Sequence, residues 1–382
     1  MKPQIDRFFC RSTHPFGIRR CLVCTEGSDE MRLLSIHSAR VKLILLSIMH
    51  MVTDGLCAYL VFVRLYPDNP AFSFYVFAGY NLLAFVTQSP VGSLIDKYNR
   101  PKLFLAISIS AMLLGYLCSG IWWLAVLLIG MSNSIFHVAG GKYVSDKSGN
   151  DISHLGIFVS TGAVGLVIGQ RYTDIVALPY IMFALLIICG LVFILLEDGE
   201  TISYHEEYVG KADPSYILLA VLGVVLIRAF IGKVITPDFT LEGHIFLLIS
   251  IATALGKAMG GICSKLIGIR PTTYISMSLA ALCLTLGLGN PYTFILGIFA
   301  FNFSMPITLY YANILMKGKE GFAFGTLAAV LVPGYFLAMS FTYGTAMRIA
   351  SAIMCLTSIA VIIYISRRIS ADVPTVGPDN NP

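Results

Sequence analysis

Residues 92–102 read GSLIDKYNRPK. The stretch is short and charged, and long apolar runs flank it at 72–91 and 102–119. Each run is long enough to cross a bilayer, which takes about 20 apolar residues. A loop between two such helices must turn tightly at the membrane surface. Gly92 lets the end of the first helix approach a neighbour closely. Asp96 suits a helix N-terminus or a cation, while Lys97, Arg100 and Lys102 stay on the aqueous side.

The rest of the chain agrees with a membrane protein. Of 382 residues, 57% are hydrophobic and 12% charged, with mean hydropathy +0.79. A soluble domain carries about 25% charged residues. The formal charge of +5 is explained by basic loops, not by nucleic acid. Cys57, Cys118, Cys189, Cys263, Cys283 and Cys355 lie in or beside apolar runs and read as small buried hydrophobes, so disulfides are not expected. Cys21 and Cys24 form a C-x-x-C pair near His14 and Cys10, but no second pair follows at ligand spacing. No metal site is therefore expected. No cleavable signal precedes the first span, and Met31 offers an alternative start. Walker loops and nucleophile motifs are missing, which points away from ATP, cofactors and enzyme chemistry.

Twelve spans can be drawn. Six lie near 41–62, 72–91, 102–119, 121–141, 152–170 and 176–196. Six more lie near 215–236, 243–263, 272–289, 291–314, 322–343 and 346–366. The expected organisation is an extension at 1–40, a half at 41–196, a linker at 197–214, a second half at 215–366 and a tail at 367–382. Basic residues crowd one side, among them Arg40, Lys42, Lys97, Arg100, Lys102, Lys142, Lys147, Lys265 and Arg270. The other side carries Arg64, Arg171, Lys233 and Arg348. The basic side, with both termini, should be cytoplasmic, and the membrane the cell's inner (plasma) membrane. The halves also repeat. Asn99-Arg100-Pro101 has its counterpart in Ile269-Arg270-Pro271, 170 positions on (270 − 100).

The 92–102 loop resembles the signature loop between helices 2 and 3 of the major facilitator superfamily. Gly92, Leu94, Asp96, Lys97 and Arg100 match it. Ile95 replaces a small residue, and Asn99 stands for the usual second glycine; Asn best tolerates a left-handed backbone. The resemblance implies an all-α integral membrane protein of twelve transmembrane helices in two six-helix, pseudo-symmetric halves. It also implies alternating access around a midplane site, with Gly92, Asp96, Lys97 and Arg100 as gating residues. Residues 134–141, SIFHVAGG, and the glycines 162, 165 and 169 resemble helices 4 and 5 of the fosmidomycin-resistance-like branch. Val138 and Gln170 stand where that branch has prolines.

Polar groups inside spans mark the candidate site, because charge in hydrocarbon needs a partner or water. His50 and Asp54 share a face of helix 1 with Ser47. Asp54 reads either as a proton-binding carboxylate or as the packing partner of His50. His137 of helix 4 reads either as a titrating cavity residue or as a packing histidine. Arg228 of helix 7 cannot carry the proton. It is expected to pair with Asp54 across the cavity or to bind an anionic group. Asn133, Tyr80, Asn81, Asn302, Thr308 and Tyr311 complete the expected solute contacts, and Lys257 reads as snorkelling to the basic surface. Proton coupling falls to Asp54, His137 and His50. The expected function is proton-coupled efflux of a small polar or drug-like solute by a monomer in the lipid bilayer. Uptake of a small organic anion and a receptor or scaffold role are the alternatives.

Topology is directly testable. A membrane-impermeant thiol reagent added from outside intact cells should label Asp68→Cys and Asn290→Cys and miss Ser203→Cys. Labelling at residue 203 would reverse the orientation.

Overall fold

The computed structural model describes residues 22–198, 213–235, 237, 239, 243–342 and 344–370, apart from the side chains of 22–37, 243 and 370. Cys10, His14 and Cys21, most of the linker and the tail after residue 370 lie outside these residues. Every described element is a helix. Ten are long and apolar enough to cross a membrane. They are α1 (Ser38–Asp68), α2 (Pro70–Tyr98), α4 (Trp122–Ser148), α5 (Ile152–Arg171), α6 (Leu178–Leu195), α7 (Pro214–Val234), α8 (His244–Ile267), α10 (Pro291–Leu315), α11 (Glu320–Ala338) and α12 (Thr345–Ile369). Two shorter or less apolar helices, α3 (Pro101–Leu117) and α9 (Ile269–Leu286), bring the set to twelve among the described residues. Twelve is the helix count that the resemblance of the 92–102 loop implies. Helical backbone already begins at Leu22, inside the stretch expected to be an extension.

Local chemistry sets the breaks. Pro101 opens α3, where its missing N–H costs nothing. Asn99 closes α2 in the left-handed region, φ 48°, as its place in the loop requires. Gly268 precedes α9 at φ 91° in the repeat-equivalent turn. π-helical segments interrupt α1 at Tyr59–Leu65 and α2 at Leu82–Val86. Helix α10 breaks at Asn302–Phe303, just ahead of Pro306. Pro333 lies inside α11, whose helical run continues through it. Glycines set the closest approaches: Gly165 lies on the Met51 carbonyl and Gly169 on that of Gly55, so α5 packs directly on α1.

The two halves meet most tightly at the basic side. Asp96 of α2 accepts the backbone N–H groups of Gly321 (2.9 Å) and Phe322 (2.8 Å), the first turn of α11. Its carboxylate thus caps a helix that belongs to the other half. Gly92 lies against the Gly321 backbone, where a Cβ would collide. The cation beside Asp96 is Lys142 of α4, at 3.3 Å. Lys142 also reaches Asp146 at 3.1 Å and Glu320 at 3.5 Å. Further bonds run from Asn313 to Ser145 and Asn150, both 2.9 Å, and from Asn150 to the Tyr310 carbonyl, 3.2 Å. Lys265 of α8 pairs with Asp151 at the start of α5. On the opposite side the halves touch through aromatic contacts, Phe77 with Tyr335 and Arg171 over Phe246. Within the first half, Asp198 gathers Lys42, Lys102 and Tyr143 where the linker departs.

Burial would raise the Asp151 carboxyl, but Lys265 and Ser153 outweigh it and hold it below the ordinary carboxylate range. A depressed pKa means the pair supports closure at neutral pH and fails only as pH falls through that lowered value. Lys265 is more than half exposed, so the pair contributes about 0–1 kcal/mol. Each N–H bond to the Asp96 carboxylate contributes more, about 1.5–3 kcal/mol. At neutral pH, Asp96→Asn should therefore open the basic side roughly 10–100-fold more often than the unaltered chain. The readout is labelling of Thr253→Cys from that side in oriented vesicles. Asp151→Asn should shift it far less, and equal shifts would overturn the ranking.

Candidate functional site

Helices α1 and α4 each present a pair of polar residues one turn apart, His50 with Asp54 and Asn133 with His137. His50 Nδ1 lies 2.7 Å from the Phe158 carbonyl, and His137 Nδ1 lies 2.9 Å from that of Asn133. A carbonyl can only accept, so both Nδ1 atoms carry hydrogen. Both Nε2 atoms then face the same carboxylate. His50 Nε2 is 3.4 Å from Asp54 Oδ2, and His137 Nε2 is 3.5 Å from Oδ1. The rings meet edge to face at 4.6 Å. Asn133 donates to Asp54 Oδ1 at 3.2 Å and contacts Cys57 Sγ at 3.4 Å. Gly162 of α5 makes room for this cluster, since a Cβ there would strike Asp54 Oδ2 and His50 Nε2.

The cluster forms one wall of a central cavity of about 460 Å³. The second half supplies the opposite wall: Arg228 of α7, Lys257 of α8 and Thr308 of α10. Arg228 reaches the Thr308 hydroxyl at 3.5 Å. Phe62, Phe77, Phe85, Phe324 and Tyr335 give apolar surface, and Tyr80, Asn81, Gln88 and Gln170 add polar contacts.

Most expected site residues are thus brought together. Asp54, His50 and His137 form one cluster, and Arg228, Asn133, Tyr80, Asn81 and Thr308 line the same cavity. Asn302 and Tyr311 do not. Asn302 bonds back to the Ile298 carbonyl at the α10 break, and Tyr311 is buried against Tyr310 outside the lining. The expected Asp54–Arg228 pair does not form. The two histidines take the carboxylate, and Arg228 has no ion pair among the described residues. Lys257 does not snorkel. Helix α8 runs ten residues past it, to Ile267, so Lys257 sits at cavity depth. Lys97 lies over the Tyr98 ring, away from the contact between halves. No metal site was expected, yet His50, Asp54 and His137 place their ligand atoms within 4.8 Å of one another.

No protein-family profile matches the sequence, and no curated protein matches it. Solved structures do. The E. coli fucose:proton symporter FucP, in a single-residue variant, aligns with TM-score 0.60 at 10% identity, over 86% of this chain and 98% of that one. FucP in the outward conformation, described as a major facilitator superfamily transporter, aligns with TM-score 0.60 at 12% identity, over 86% and 99%. A bacterial homologue of the iron transporter ferroportin, outward-facing, aligns with TM-score 0.56 at 14% identity, over 86% and 100%. At such identities the likeness concerns the fold.

Gly162→Ala should displace the cluster and destabilise the purified protein by about 1–3 kcal/mol, the cost of overpacking. Gly223→Ala of α7, with open space around it, should leave the melting temperature unchanged or slightly raised. Equal melting curves for the two variants would contradict the tight fit at Gly162.

Proposed function

We propose that the chain is a proton-coupled secondary transporter of the major facilitator type, which moves a small organic anion by alternating access. The observation that carries this reading is the division of charge across the cavity. Arg228 and Lys257 face it from one half with no ion pair among the described residues. The Asp54 cluster faces it from the other. Two mid-membrane cations without an acid are costly unless water or an anionic solute joins them. This favours the organic-anion alternative over the small polar or drug-like solute first expected from the sequence. A cavity of about 460 Å³ suits a metabolite-sized solute.

The charges also suggest the coupling. With neutral imidazoles, the lining carries one carboxylate and two cations, a net charge of +1. A monoanion brings it to zero, and a neutral cavity closes into low dielectric at least cost. Each further negative charge on the solute calls for one proton on the histidine–aspartate cluster. Arg228 positions the anion and does not exchange its proton. A cytoplasmic basic side makes the Asp96 contact an inner seal, a reading that fits an outward-facing state. A scaffold would have no use for a charged cavity at this depth.

In proteoliposomes with an imposed pH gradient, a panel of organic anions identifies the solute, and the sign of flux separates export from uptake. Asp54→Asn should abolish pH-driven accumulation while sparing solute-for-solute exchange. Arg228→Gln should raise KM about 10–100-fold, the loss of one charge-assisted contact. Because the two residues are not paired, the double variant should show both defects. Recovery of pH-driven flux in the double variant would refute the division of roles.

A further inference from the structure

We infer that His50, Asp54 and His137 form a binding site for a divalent first-row transition metal ion. Three features of the geometry support this. First, the donor set is two imidazole nitrogens and one carboxylate, a set that suits Zn²⁺, Fe²⁺ and related ions. Second, both rings are already oriented. Each Nδ1 is tied to a backbone carbonyl, so each Nε2 lone pair points at Asp54. Metal-binding histidines are held in this way. Third, the spacing fits. Bonds of about 2.0–2.1 Å in a tetrahedral site put neighbouring ligand atoms about 3.4 Å apart. His50 Nε2 lies 3.4 Å from Asp54 Oδ2 and His137 Nε2 3.5 Å from Oδ1, so each imidazole faces its own carboxylate oxygen, and one ligand atom from each of the three residues lies within 4.8 Å of the others. Both imidazole–carboxylate separations are longer than a direct N–H···O bond of about 2.7–3.2 Å.

The neighbours complete the case. In the neutral tautomers fixed by the carbonyls, two lone pairs and a carboxylate converge with nothing positive between them. A metal ion resolves that repulsion. Asn133, 2% exposed, orients Asp54 through Nδ2 and leaves its own Oδ1 buried without a hydrogen-bond partner. The side of the cluster that faces the cavity stays open, as in metal sites that accept an exogenous ligand. Arg228 and Lys257 oppose a second cation there, so an anion in the cavity would assist the metal. The inference concerns binding and stands apart from the transport reading: flux and metal affinity are separate measurements.

The test uses the full-length protein carrying Cys21→Ser and Cys24→Ser, which removes the N-terminal thiol pair as a competing ligand. Titration calorimetry with Zn²⁺ should give one site per chain, and Co²⁺ should give the ligand-field spectrum of a nitrogen–oxygen site. Asp54→Asn and His137→Gln should each weaken Zn²⁺ by at least ~10–100-fold, the range seen even for groups one shell further out. Lys257→Gln keeps all three ligands and removes a repelling charge, so it should bind Zn²⁺ more tightly. That variant keeps the proposal testable if a ligand variant fails to fold. Absence of a stoichiometric site would overturn the proposal, as would affinity unmoved by either ligand variant or weakened by Lys257→Gln.

Discussion

One carboxylate, Asp96, ties the halves together. A helix N-terminus leaves N–H groups without partners, and inside a membrane protein that deficit must be met locally. Helix α11 meets it with an acid from the other half. The bond forms only where the backbones of Gly92 and Gly321 touch, so cap and contact exist together. Lys142 shares the site with Asp96, Asp146 and Glu320, which makes the seal a charge network around one buried cation.

The seal sets the conditions for the cavity above it. Closing one side of the cavity excludes water and strengthens every charge within. The first half answers with a carboxylate held by two imidazoles, and the second with cations that make no ion pair among the described residues. Close packing of α5 on α1 makes the first arrangement possible. Gly162 leaves space for Asp54, while Gly165 and Gly169 bring the backbones together. The same glycines therefore serve packing and chemistry, and their spacing alone could not separate the two.

The fold was legible because hydrocarbon imposes a coarse code. Apolar runs gave the spans, and the 92–102 loop gave the architecture. Asn99 was legible too, since few residues accept its backbone angle. The site was legible in part. His50 and Asp54 share a face by helical spacing, and Asn133 with His137 follow the same rule. Asn302 was misplaced because it falls at the α10 break, where its side chain bonds back to the Ile298 carbonyl. Tyr311 shares the unbroken run 304–315 with Thr308, but it is buried beside Tyr310 and outside the cavity lining. Lys257 was misread because α8 extends to Ile267, four residues beyond the expected end at 263. A boundary error of one turn turned a cavity residue into a surface one. The contact of Lys142 with Asp96 is a tertiary one between distant helices, and no local pattern announces it.

The failed Asp54–Arg228 pairing carries the most physical content. The internal repeat puts both residues at similar depth, and opposite charges at such depth invite a pair. A guanidinium partner would hold the carboxylate ionised permanently and leave neither group able to exchange a proton or accept a ligand. Imidazoles change that. They satisfy the acid by geometry while keeping nitrogen lone pairs open to a proton or a metal ion. Separating the acid from the arginine also leaves the guanidinium facing the cavity. The cavity thus carries two loci of opposite charge, one on each half: the Asp54 cluster and the wall of Arg228 and Lys257.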